Sequence, residues 1–140
     1  MIQGIDRKNS EIGYLVLRLT MGFNMFAHGL VRLPKLDQFS GWMLGLFENS
    51  WIPLFLVKPF SYSLPFIELI VGVLLILGIK TSIGIHTGAL IISSLVLGSC
   101  LIEKWDMAGG QMLYAIFFFL LAIFLPLNKY SLDTLINRSE

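Results

Sequence analysis

Long apolar runs, each interrupted by a few polar residues, dominate the hydropathy pattern of this 140-residue chain. A bilayer core about 30 Å thick needs roughly 20 residues of helix to cross it. Four runs are about that long: residues 12–31, 64–79, 82–102 and 107–127. Backbone polar groups must be satisfied internally in lipid, so each run is predicted to be α-helical. The pattern predicts an all-α integral membrane protein, with a four-transmembrane-helix bundle in one domain, residues 1–140.

The connection between the first two runs is not an ordinary loop. Residues 36–60 are apolar but contain Pro53 and Pro59, together with Trp42 and Trp51. Tryptophan is enriched at membrane–water interfaces. We expect one or two short interfacial helices here, at the membrane surface or dipping into it. A fifth span is the alternative, and the prolines argue against it.

Composition supports a membrane protein. Hydrophobic residues make up 56% of the chain and charged residues only 14%, whereas soluble domains have about 25% charged residues. The net charge of +1 gives no electrostatic reason to expect nucleic acid as a partner. A single cysteine, Cys100, excludes an intramolecular disulfide and a cysteine-based metal site, and no metal is expected.

Four spans place both termini on the same side of the membrane. Arg7 and Lys8 directly precede the first span. Positive residues favour the cytoplasmic side, so both termini are predicted to be cytoplasmic. Residues 131–137 are predicted to form a short helix on the inner surface, with Ser131 as its N-cap.

Polar residues within the spans need a physical reason, because a charge at mid-bilayer costs at least about 2.5–3.5 kcal/mol. Arg18 either extends to the inner headgroups or pairs with another helix. His28 and Arg32 are four residues apart, on one helix face. Glu68 lies at a similar depth on the antiparallel second span, so a cluster with His28 and Arg32 is predicted. The alternative is that each side chain points to water.

Gln111 begins the fourth span near the same level, with Trp105 and Tyr114 close by. These three residues are candidates for the outer cluster, although the two aromatics are equally typical of interface anchors.

Small residues occur on every predicted helix, which indicates close helix packing. Gly72 follows Glu68 by four residues, and Gly84 and Gly88 form a G-x-x-x-G motif. We expect a tight bundle rather than a wide pore.

Three sequence motifs resemble those of the DoxX-like family (DoxX and DoxD types) of small bacterial inner-membrane proteins. They are LRLTMGFNMFAHGLVRL, PFIELIVGVLLILGIKTSIG and the closing LPLNKYSLD. The resemblance implies a four-helix membrane protein, one branch of which is associated with quinone-linked oxidoreductases and others with redox homeostasis. The matched positions are Arg18, His28, Gly29, Glu68, Gly72 and Asp133. Two departures stand out: Arg32 where many members have lysine, and Gln111 where a glutamate is common.

The leading hypothesis is a membrane subunit of a redox system, of the kind found in quinone-linked oxidoreductases. It would bind a quinone, or a small outer-side substrate, in the outer half of the bundle. His28 and Glu68 would be the catalytic pair, and Arg32, Gln111, Trp105 and Tyr114 would contact the ligand. Its partners would be the lipid bilayer, a redox protein or a second copy of the chain. The alternatives are a non-catalytic scaffold that recruits a partner and a small-molecule transporter.

Overall fold

The computed structural model describes residues 6–137, which contain helices and no strand. Two 3₁₀ turns, Leu33–Lys35 and Leu125–Leu127, interrupt the chain between helices. The six α-helices are α1 (Arg7–Arg32), α2 (Leu36–Phe47), α3 (Leu54–Leu77), α4 (Thr81–Leu101), α5 (Trp105–Ile123) and α6 (Leu132–Ile136).

Three helices are long and apolar enough to cross a membrane: α3, α4 and α5. They correspond to three of the four predicted spans, and the prediction of an all-α membrane protein is confirmed to that extent. The remaining predicted span, residues 12–31, lies within α1, which has 26 residues but includes Arg18, Asn24 and His28 in its apolar run. It is not among the helices that meet the length and hydropathy requirement.

The predicted start of the second span, at residue 64, is wrong. Helix α3 begins at Leu54 and continues through Pro59 and Pro65. Proline removes one backbone hydrogen bond, but transmembrane helices tolerate it when neighbours compensate. Here the first turns of α3 pack against α2, and the Ser40 and Ser61 hydroxyls hydrogen-bond at 2.7 Å. Residues 36–60 therefore form α2 and the beginning of α3.

Glycines bring α1 and α3 into backbone contact. A Cβ atom at Gly29 would come within 2.5 Å of the Pro65 carbonyl oxygen, and one at Gly72 would overlap the backbone of Phe26. A Cβ at Gly22 would be 2.9 Å from the Ile76 side chain. This seam explains why α1 and α3 form the most extensive helix pair, and it sets the distance between the polar residues they carry.

Helix α4 packs between α3 and α5, and its G-x-x-x-G motif makes both contacts. A Cβ at Gly84 would be 3.2 Å from Leu74 of α3, and one at Gly88 would overlap the ring of Phe118 on α5. Phe118 is fully buried. The Tyr14 hydroxyl donates to the Leu121 carbonyl at 3.0 Å and connects α1 to α5. The four long helices thus surround one apolar core.

Candidate functional site

His28, Arg32 and Glu68 form a cluster between α1 and α3, here called the Arg32 cluster. Nη1 of Arg32 lies 2.7 and 2.6 Å from the two carboxylate oxygens of Glu68. The Glu68 side chain is only 3% exposed, so its charge depends on this partner. The guanidinium carbon lies 4.6 Å from the centroid of the Phe39 ring on α2, within cation–π range.

The local sequence explains why this cluster forms. His28 and Arg32 are one helical turn apart, on the face of α1 that meets α3. Gly29 lies between them and allows α1 to touch the α3 backbone at Pro65 and Leu69. Glu68, on the turn between those two positions, is thereby brought to the two basic side chains.

His28 is a peripheral member of the cluster. Its Nδ1 is 3.9 Å from the nearer Glu68 oxygen, too far for a hydrogen bond, and its side chain is 37% exposed. Its ring also meets Tyr114 of α5 edge-on, with centroids 6.3 Å apart. The sequence predicted His28 and Glu68 as the central pair, but the main partner of Glu68 is Arg32.

A cavity of about 390 Å³ opens beside Arg32, between α2, the beginning of α3 and the end of α4. Apolar side chains make most of its wall, among them Phe39, Trp42, Phe47 and Leu95. This volume and lining are typical of small-molecule sites.

The polar lining of the cavity is small. Its side chains are those of Arg32, Ser94, Ser99 and Gln111, among the described residues. The buried Ser99 hydroxyl donates to Oε1 of Gln111 at 2.9 Å, joining α4 to α5. Gln111 therefore lies in the cavity wall with Arg32.

Trp105 and Tyr114 do not line this cavity. Trp105 is 64% exposed at the start of α5, as an interface anchor would be. Tyr114 contacts His28 of the Arg32 cluster and packs against the apolar core. The predicted contact of Trp105 and Tyr114 with a ligand stays a prediction.

Arg18 belongs to a second polar centre, here called the Arg18 latch, made of Arg18, Asn128, Tyr130 and Asp133. Arg18 is 2% exposed, and its guanidinium donates to the Asn128 side-chain oxygen at 2.5 Å and to the Tyr130 carbonyl at 2.9 Å. The sequence left open whether Arg18 reaches the headgroups or another helix. Its partners are instead in the segment after α5.

Asp133 connects the same segment to the turn between α3 and α4. Its carboxylate accepts from the backbone N–H groups of Lys80 and Thr81 at 2.7 and 2.8 Å, and its own N–H donates to Gly78. Asp133 thus caps the N-terminus of α4, whose own N-cap residue makes no side-chain bond. Burial raises the pKa of Asp133, but these hydrogen bonds outweigh it and hold the pKa below its usual value.

Sequence reasoning missed Ser99 and Phe39 at the cavity and Asn128 in the latch. Ser99 has no sequence signal of its own, because its position opposite Gln111 depends on how α4 and α5 pack. Asn128 had a detectable signal, because it lies within the LPLNKYSLD motif.

Within residues 6–137, no three His, Cys, Asp or Glu side chains are placed to hold a metal ion.

The DoxX family model matches residues 13–105. The matched range contains Arg18, His28, Arg32 and Glu68 and ends before Asn128, Tyr130 and Asp133, the partners of Arg18 in the latch. No curated protein and no solved structure matches the chain. With two thirds of its length matched, from the start of the apolar run of α1 to the first residue of α5, the chain is a member of the DoxX family.

Proposed function

We propose that this DoxX protein is the membrane subunit of a redox system and binds a quinone in the cavity beside Arg32. The observation that carries the proposal is the cavity itself: an apolar space with a guanidinium and an amide in its wall. A quinone matches this distribution, because its ring and tail prefer an apolar environment while its carbonyl oxygens accept hydrogen bonds.

The charge of the site favours a neutral ligand. Arg32 carries a positive charge, but Glu68 pairs with it through two short hydrogen bonds. The pair adds no net charge to the cavity wall. A small anion that entered the cavity would lose its hydration, and the site has no surplus positive charge to compensate it. Desolvation of the anion would therefore be costly in this apolar space. A quinone has no such cost.

The shape of the site favours entry from the bilayer. Leu56 on α3 and Leu97 on α4 both line the cavity, and both are more than half exposed. These two leucines lie on candidate spans, so their exposed faces would meet lipid. An isoprenoid tail could extend between them while the ring remains near Arg32.

Arg32 would donate a hydrogen bond to one quinone carbonyl, and Glu68 would hold Arg32 in place. Quinone reduction to quinol consumes two electrons and two protons, and a partner subunit would supply the electrons. The partly exposed His28, 3.9 Å from Glu68, would connect the carboxylate with water at the outer surface. His28 and Glu68 would thus carry protons, and Arg32 and Gln111 would position the ring.

The proposed membrane arrangement has four spans in the bacterial inner membrane. Helix α1 is about 39 Å long at 1.5 Å per residue, enough to cross a core of about 30 Å. It packs along α3 through Gly22, Gly29 and Gly72, which supports a crossing beside α3. Four crossings would put both chain ends on one side of the membrane, and Arg7 and Lys8 before the first span favour the cytoplasmic side. A reporter fused after Asn137 should give a cytoplasmic signal, and a periplasmic signal would contradict the arrangement.

The binding proposal can be tested by fluorescence, because the chain has three tryptophans and only Trp42 lines the cavity. The variant Trp51→Phe/Trp105→Phe retains Trp42 alone. Decylubiquinone added to this variant in detergent should quench its emission saturably. The matched control, Trp42→Phe, should show no saturable quenching.

Arg32→Met in the Trp42-only protein should weaken decylubiquinone binding about tenfold or more, since hydrogen bonds to charged groups contribute about 1.5–3 kcal/mol. Loss of saturable quenching in the Trp42-only protein, or equal affinity with and without Arg32, would contradict the proposal. The scaffold alternative predicts that first outcome.

A further inference from the structure

Ser99 uses its hydroxyl hydrogen differently from its neighbours on α4. The hydroxyls of Ser93 and Ser94 donate to carbonyl oxygens four residues earlier in their own helix, at 2.8 and 2.9 Å. The Ser99 hydroxyl instead donates across to Oε1 of Gln111 on α5. Ser99 is 4% exposed, so this bond lies within the protein at the cavity wall.

This bond fixes the orientation of the Gln111 amide. With Oε1 held by Ser99, the amino group of Gln111 lies on the opposite side of the amide carbon, pointing away from Ser99. It makes no hydrogen bond to any part of the chain that the structure describes. An amide nitrogen of this kind carries two N–H donors and no acceptor. Gln111 therefore offers donors to the cavity.

Arg32 offers donors as well. Its Nη1 is engaged with both oxygens of Glu68. Its Nη2 and Nε make no hydrogen bond within residues 6–137, and a guanidinium has no acceptor. The oxygen acceptors among the side chains that line the cavity in this range are the Ser94 and Ser99 hydroxyls and Oε1 of Gln111, which already accepts from Ser99. The N–H groups of Arg32 and Gln111 that make no hydrogen bond outnumber these acceptor oxygens.

We infer that Ser99 and Gln111 make the cavity selective for the oxidised form of its ligand: a quinone with two carbonyl acceptors binds in preference to the corresponding quinol. The inference rests on the proposed function and specifies which redox form the site holds. A quinol brings two O–H donors, each of which needs an acceptor. Where donors face donors, the buried O–H group has no partner and binding weakens.

Selectivity of this kind would make the site release its ligand after reduction. Ser99 acts here as a positioning residue, since it works through Gln111. Gln111 is the specificity-determining residue, because the polarity of its amide decides which form fits. Neither role requires a change in the helix packing.

The test compares decylubiquinone with decylubiquinol, both under argon, through the rise in unfolding temperature of the detergent-purified protein. Ligand-induced stabilisation depends on the ratio of ligand concentration to Kd, so it yields an apparent Kd for each form. For the unmodified chain we expect the quinone to bind at least about tenfold more tightly than the quinol.

Three variants separate the polarity of the site from its structure. Ser99→Ala frees the amide and should bring the Kd ratio close to one. Gln111→Glu replaces the amino group with an acceptor and should reverse the preference towards quinol. Ser93→Ala, on the same helix but outside the cavity, is the matched control and should keep the original ratio.

Equal Kd values for the two forms in the unmodified chain would overturn the inference, as would tighter quinol binding. An unchanged ratio in Gln111→Glu would also overturn it, and this variant carries the test if Ser99→Ala does not fold. Failure of the proposed function gives a different result, in which neither form stabilises the unmodified protein.

Discussion

Arg18 and Arg32 both lie on α1, but the protein surrounds them differently. Arg18 is 2% exposed and bonds to the neutral oxygens of Asn128 and Tyr130. Arg32 bonds to the carboxylate of Glu68, stacks on Phe39 and lines a cavity. The Arg18 nitrogen without a hydrogen-bond partner, Nε, is fully buried, whereas the unbonded donors of Arg32 belong to a side chain that lines the cavity.

The difference shows that a polar residue inside a membrane helix does not by itself mark a binding site. Arg18 is the more deeply buried of the two, yet its hydrogen bonds join α1 to the segment after α5 and so serve the fold. Arg32 has donors without a partner among residues 6–137, on a side chain that lines an apolar cavity. Hydrogen-bonding capacity that a ligand can reach, rather than burial, distinguishes the candidate site.

Loss of one hydrogen-bond partner should reduce the stability of the protein more in the Arg18 latch than in the Arg32 cluster. Asn128→Leu removes the side-chain oxygen that Arg18 bonds at 2.5 Å. Because a buried charge is left under-satisfied, we expect about 3 kcal/mol of destabilisation. Lys129→Leu, at the exposed next residue, should change stability by less than about 0.5 kcal/mol. Thermal unfolding in detergent measures both, and similar losses would contradict the role given to Asn128.

The α1–α3 seam near the Arg32 cluster should not accept a methyl group. Gly72→Ala places a Cβ against the backbone of Phe26, so we expect a loss of about 1–3 kcal/mol. Gly13→Ala is the matched control, because nothing lies within 4 Å of the Cβ at that position. It should leave stability equal or slightly higher. A tolerated Gly72→Ala would show that the helices are farther apart than described.

In the Arg32 cluster, the coupling free energy between Arg32 and Glu68 should be smaller than the losses of stability expected in the latch and at the α1–α3 seam. A double-mutant cycle with Arg32→Met and Glu68→Gln measures it. Side-chain hydrogen bonds between membrane helices average about 0.6 kcal/mol, with about 1.7 as the upper end, so we expect a coupling near 1 kcal/mol. Strict additivity would mean that Arg32 and Glu68 do not interact.

Asp133 should give the latch a weak dependence on pH. Its folded-state pKa is lowered, so its contribution is complete above the ordinary aspartate pKa of about 4 and is lost as the pH falls through the folded-state value. The effect should be below about 1 kcal/mol, since the side chain is only partly buried. Unfolding temperatures between pH 7 and pH 3 should fall more for the original chain than for Asp133→Asn. If the unfolding temperatures of both proteins fell equally with pH, Asp133 would not be the source of the pH dependence.

Hydropathy alone was enough to predict the helical membrane class and three long apolar helices. The length of apolar runs is a local property, and lipid leaves few alternatives to helix. The predicted start of α3 was wrong because proline was weighed as a local helix breaker. Contact between α2 and the first turns of α3 is a tertiary interaction, which no window along the sequence contains.

The candidate site was predictable in part for the same reason. Glu68 and the basic pair on α1 followed from depth and helix spacing, and they do lie together. Depth and helix spacing could not show that Arg32, rather than His28, is the main partner of Glu68, because that depends on side-chain directions between α1 and α3. The partners of Arg18 lie more than a hundred residues away in sequence, so only the assembled bundle reveals them.

Photolabelling with an azido-quinone tests the central claim most directly, because the two arginines adjoin separate spaces. The cavity beside Arg32 is lined by α2 and the end of α4, whereas an open groove beside Arg18 is lined by α1 and residues 129–137. After illumination and peptide mapping, label that decylubiquinone displaces should appear in residues 39–47 and 94–102. Displaceable label confined to residues 129–137, or label that decylubiquinone does not displace anywhere, would contradict a quinone site at Arg32.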